Sequence, residues 1–70
     1  MKYNINEHAR AFLAEHLPEA LDAESSYAAL KMLYELIDEK GFDAPKYEKL
    51  NAFGLEADEV YDEIYELNIQ

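Results

Sequence analysis

The side chains with the widest chemical repertoire are few in this chain, and their spacing works against catalysis. There are 2 histidines and 0 cysteines. His8 and His16 stand eight residues apart on what reads as one helix, too far for a single metal ion to bridge, and Glu15 and Glu19 do not complete a ligand set. The stretch from Asp38 to Lys49 shares Asp38 and Gly41 with a calcium loop. Its sixth position, however, is Asp43 where the loop needs glycine, and its twelfth is Lys49 where the loop needs glutamate. Carboxylates are plentiful, with 16 Asp and Glu, yet nothing in the sequence marks an apolar cleft that would separate two of them into an acid and a base. The expectation is a non-enzymatic protein with no catalytic residue, no metal and no cofactor.

What remains is the chemistry of recognition. The formal charge is −10, and the last basic residue is Lys49. Between Glu56 and Glu66 stand six carboxylates (Glu56, Asp58, Glu59, Asp62, Glu63, Glu66) with no Lys or Arg among them. Glu59/Glu63 and Asp62/Glu66 are like-charge i,i+4 pairs that each cost a few tenths of a kcal/mol in a helix, and Glu66 opposes the helix dipole. A sequence needing only solubility would intersperse lysine, as Lys31 and Glu35 do, so a face of one sign suggests a cationic partner. Direct nucleic-acid binding is not expected, because neutralising phosphates needs clustered Lys and Arg, and an anionic membrane is disfavoured for the same reason. The 6 tyrosines supply amphipathic contact area of the kind favoured at interfaces. Tyr61 and Tyr65 beside the acidic face are the interface candidates, whereas Tyr27 and Tyr34 read as core.

Helices must position these groups. The only β-branched residues are Ile5, Ile37, Val60, Ile64 and Ile69, while Ala, Leu and Glu dominate, so strands have little to build from. Asn4 or Asn6 caps a first helix running to about Leu17, Asn4 and Glu7 having the spacing of a capping box, with Ile5, Ala9, Phe12, Leu13 and His16 on the buried face. Pro18 to Ala23 reads as a short second element that Pro18 starts. Ser25 or Ser26 caps the longest helix, which ends at Lys40 with Gly41 in a left-handed stop. Its wide apolar arc (Tyr27, Leu30, Leu33, Tyr34, Leu36, Ile37) marks it as the central helix. Phe42 should contact Ile37. A short helix is expected from Pro45 to Phe53 with Tyr47, Leu50 and Phe53 inward, then a second glycine stop at Gly54 with Leu55 folded back on Leu50. A last helix from about Ala57 to Leu67 carries Val60, Ile64 and Leu67 as its core stripe.

The fold class expected is therefore all-α, a compact bundle of three main helices plus one or two short ones, forming a single domain over 1–70. Half of the residues are apolar, enough for a core without a disulfide or metal. The first residues contain no apolar secretory core and no stretch approaches the roughly 20 apolar residues of a membrane span, so a cytoplasmic location is expected.

A short acidic bundle with Ser25 and Ser26 opening its long helix is superficially similar to the acyl carrier proteins, whose carrier serine sits at that point in an Asp-Ser-Leu motif. The residues here are Glu24-Ser25-Ser26-Tyr27, and the stretch from Leu17 to Ser25 is much shorter than that family's first loop. The resemblance covers architecture, and a carrier role is a minor alternative. The leading expectation is an interaction module whose last helix, through Glu59, Asp62, Glu63, Glu66, Tyr61 and Tyr65, meets a basic surface on another protein, a nucleic-acid mimic or inhibitor being one form. The alternative is a structural domain that self-associates through apolar residues. Acidification from pH 7 towards about 5 should then stabilise the fold by relieving like-charge crowding.

Overall fold

A computed structural model describes residues 2–43 and 49–69. Among them are three α-helices and one 3-10 turn, with no strand beyond an isolated bridge. Helix α1 (Glu7–His16) starts at Asn6, whose side-chain oxygen accepts a hydrogen bond from the Ala9 amide at 2.8 Å. Asn4 has a different task from the capping box expected of it. Its amide donates to Asn68 Oδ1 at 2.9 Å, its side chain donates to Leu67 O at 3.2 Å, and Asn68 Nδ2 donates to Asn4 O at 2.8 Å. The two ends of the described chain are thus clasped by amides. Nearby, the Tyr3 hydroxyl donates to Ala20 O at 2.6 Å in a buried contact, and burial pushes that phenol's pKa up.

Pro18 supplies the fixed φ that opens the 3-10 turn Pro18–Asp22. Helix α2 (Ser26–Lys40) then begins at Ser25, whose Oγ accepts from the Ala28 amide at 3.2 Å. Helix α3 (Ala52–Asn68) follows the cap residue Asn51 and starts five residues earlier than Ala57. Asn51 joins the two helices. Its amide donates to Gly41 O at 2.8 Å, its Nδ2 donates to Lys40 O and Asp43 Oδ1, both at 3.0 Å, and its Oδ1 accepts from the Gly54 amide at 2.7 Å. One side chain therefore terminates α2 and caps α3.

The packing order corrects the expectation that α2 is central. Helix α3 packs against both α1 and α2, while the 3-10 turn joins α1 to α2 on the other side; no Cα atom of α1 comes within 8 Å of one of α2. Fully buried Leu13, Leu33, Val60 and Ile64 make the centre, with Ala9, Ala20, Ala29 and Ala57 letting the backbones approach. Tyr27 and Tyr34, read as core, are 75% and 61% exposed. Because α2 covers its apolar arc against one helix and a single turn, the arc's edges face water. Leu67, placed in the core stripe of α3, is 44% exposed at the helix end.

Both glycines serve close approach. Gly41 has φ −85° and ψ −2°, right-handed and open to any residue, so no left-handed stop exists there. A Cβ on it would meet Ile37 O at 2.5 Å and Gly54 Cα at 3.2 Å. Gly54 lies inside α3 instead of ending a helix, and a Cβ on it would run into the carbonyl oxygen of Gly41 and stand 2.9 Å from Gly41 Cα. The expected Pro45–Phe53 helix falls partly outside the described residues, including Tyr47. Within them, Lys49 and Leu50 are non-helical and Leu50 pairs with Phe42 in an antiparallel bridge. Leu55 does not fold back on Leu50; it is 58% exposed on α3.

Candidate functional site

Helix α3 sorts its acidic residues into three groups by which neighbour each faces. Glu59 and Glu66 lie on the solvent arc with Leu55, and both are exposed. Asp58, Asp62 and Tyr65, at spacings of three and four residues, occupy the shoulder towards α2, where half-buried Tyr61 packs on the core. Glu56 and Glu63, one heptad apart, occupy the shoulder towards α1.

The α1 shoulder differs from what the sequence suggested. His8 Nδ1 stands 3.0 Å from both carboxylate oxygens of Glu63, and its Nε2 stands 3.3 Å from Glu56 Oε2. Glu63, expected to meet a partner, is half-buried and already engaged within the fold. An imidazole with a carboxylate at each nitrogen can satisfy both only as imidazolium, since the neutral ring donates from one nitrogen. The hydrogen bond to Glu63 first, that to Glu56 second, and the attraction of both charges raise the His8 pKa above its ordinary 6.5.

This pKa shift has a definite sign for stability. A histidine held above its unfolded pKa contributes stability that is complete below about 6.5 and is lost as pH rises through the folded value. Acidification from pH 8 towards 6.5 should therefore raise the melting temperature of the wild type, in the direction expected from charge crowding but through a specific bridge. His8→Gln should flatten that rise. Thermal melts of both proteins across the window check it, and an equal slope in the variant would show that the bridge adds nothing.

The second histidine is structural. His16 lies tilted against Phe12 and edge-to-face with Phe53, with ring centroids 4.7 Å and 5.0 Å away, and its Nε2 lies 2.9 Å from Glu15 Oε2. Among the described residues no group of three or more His, Asp or Glu side chains is placed to hold a metal ion. Ser25, the residue that an acyl carrier would place near its carrier serine, is occupied in capping α2.

All close ion contacts among the described residues involve a histidine; no Lys or Arg there reaches a carboxylate. Glu59, Asp62 and Glu66 are exposed and have no cation partner among the described residues. His8, Glu56 and Asp58 are the site residues that the sequence reading missed. The heptad spacing of Glu56 and Glu63 was a usable signal, but their partner lies 55 residues from Glu63 along the chain.

Comparison of the chain with models of known protein families, with curated proteins and with solved structures finds no match. No helix among the described residues is long and apolar enough to cross a membrane.

Proposed function

We propose that this protein is a non-enzymatic interaction module that docks a basic surface of another protein on the solvent arc and α2 shoulder of α3. The observation that carries this reading is the uncompensated charge of that surface: Glu59, Asp62 and Glu66 are exposed, and no described Lys or Arg pairs with them. Maintaining like charges at i,i+4 has a cost of a few tenths of a kcal/mol per pair, which a cationic partner would turn into attraction. Tyr61 and Tyr65 flank the charges with amphipathic area. Glu63 drops out of the contact set because His8 holds it. Mimicry of a phosphate array is one form such a module takes, in which carboxylates occupy a nucleic-acid-binding protein's cationic groove.

The test is charge reversal. Glu59→Lys, Asp62→Lys and Glu66→Lys together leave Val60 and Ile64 in place, so the variant should fold with equal or slightly higher stability. Its capture of the wild-type partner from lysate should be abolished, and the wild-type complex should weaken between low and physiological salt as the Debye length falls to about 8 Å. Undiminished capture by a folded triple variant would leave these carboxylates as a solvated surface.

A second reading, self-association, draws on Leu55, Tyr65 and Ile69, which are 58%, 53% and 51% exposed. Salt separates the two readings, since apolar self-association persists or strengthens as ionic strength rises.

A further inference from the structure

Between α2 and α3 runs a groove of about 320 Å³ whose floor is Ile37, Phe42 and Leu50 and whose walls are Tyr34 and Tyr61. Asp58 and Asp62 stand on its α3 rim. A smaller cleft of about 100 Å³ shares Tyr34, Ile37 and Phe42 and adds Asp38 on the α2 side. Tyr34, Asp38, Asp58 and Asp62 are all exposed, and no Lys or Arg among the described residues lines either depression. An apolar slot rimmed by carboxylates on both sides matches an occupant with a bulky apolar side chain between cations.

We infer that this groove anchors the partner, taking an aromatic or branched aliphatic side chain of a basic amphipathic segment while flanking Lys or Arg residues meet Asp38, Asp58 and Asp62. The inference rests on the reading of α3 as a docking face for a basic protein and places the energetic centre of that interface at its α2 edge. Charge selects this occupant over a second copy of the chain. Groove-to-groove pairing would bring the three aspartates of one copy against those of another, in a protein of net charge −10. A basic segment instead gains at the rim what the floor alone would not give: specificity of orientation and a fast encounter. The groove's volume of about 320 Å³ has room for one large side chain, and interfaces concentrate their affinity in such anchors.

Three fluorescein-labelled peptides test this with the intact protein: a helical lysine-flanked peptide with a central Leu-Trp pair, the same peptide with Ala-Ala at its centre, and oligolysine. The Leu-Trp peptide should bind at least about tenfold tighter than the Ala-Ala peptide, the usual scale of an anchor residue. It should also shift the NMR signals of Ile37, Leu50 and Tyr61. Tyr34→Ser, and separately Asp58→Asn with Asp62→Asn, should each remove most of that advantage while leaving the circular dichroism spectrum unchanged. Equal affinity for all three peptides, with shifts confined to Glu59 and Glu66, would overturn the groove and leave the acidic-face reading standing. Absence of binding by every peptide at low salt would remove both. Concentration-dependent dimers whose interface maps to Ile37 and Tyr61 would overturn the inference in favour of a second copy as occupant.

Discussion

Gly54→Ala should lower the melting temperature by about 10 °C or more, although the substitution improves intrinsic helix propensity by about 1 kcal/mol. The position lies within α3, where an exposed glycine replaced by alanine would stabilise. Here the added Cβ meets backbone: the Gly41 carbonyl oxygen lies inside its contact radius, and Gly41 Cα and Leu50 Cδ2 are both 2.9 Å away. Leu50 can rotate, but the Gly41 carbonyl cannot easily retreat, because it accepts the Asn51 amide at 2.8 Å and Asn51 caps α3 through Gly54 itself. Relieving the clash therefore separates α2 from α3 or breaks the cap. Overpacking of this kind costs about 1–3 kcal/mol, and loss of an N-cap about 1 more, against the 3–5 kcal/mol that so small a core supplies. Urea and thermal melts measure it. An unchanged or raised midpoint would mean that the two backbones are not in contact, and Gly41→Ala should behave alike because its own Cβ meets Ile37 O at 2.5 Å.

The pair of glycines also shows what sequence reading can and cannot reach. Helix class and the Pro18 turn were legible, and the caps were narrowed to Asn4 or Asn6 and to Ser25 or Ser26, of which Asn6 and Ser25 serve, because each signal is written in residues a few positions apart. Gly54 was misread because a glycine followed by Leu, Glu, Ala and Asp looks like a stop and a start; only the approach of Gly41 reveals it as a helix contact. The same limit explains the tyrosines. A wide apolar arc on α2 says that the helix is well covered without saying by what, and since the α1 backbone does not come within 8 Å of α2, Tyr27 and Tyr34 at the arc's edges are left in water. At the candidate site, Glu59, Asp62 and Glu66 were readable as an exposed face from the wheel alone. The division of the acidic residues between a bridge to His8 and a groove beside Tyr34 depends on which helix lies at each shoulder, and spacing along α3 carries no such information.

The largest loss from a core truncation should fall on α3, where the expectation from apolar arcs would have placed it on α2. Ile64 is fully buried on the helix that contacts both of its neighbours, and its backbone carbonyl also accepts Asn68 Nδ2 at 2.7 Å in the clasp that reaches Asn4. Ile64→Ala removes three carbons from a site walled on both sides, so collapse of the cavity from either side pulls a helix away from the other. A cost of about 3–5 kcal/mol is expected, the upper part of the range for such truncations, which would leave the protein largely unfolded at room temperature. Tyr27→Ala is the matched control. A larger side chain is deleted, but at 75% exposure it contacts little, and the change should stay within about 0.5 kcal/mol. Chemical denaturation of both variants, read by circular dichroism, gives the comparison directly. Equal destabilisation, or a folded Ile64→Ala protein beside an unfolded Tyr27→Ala protein, would return the centre of the bundle to α2.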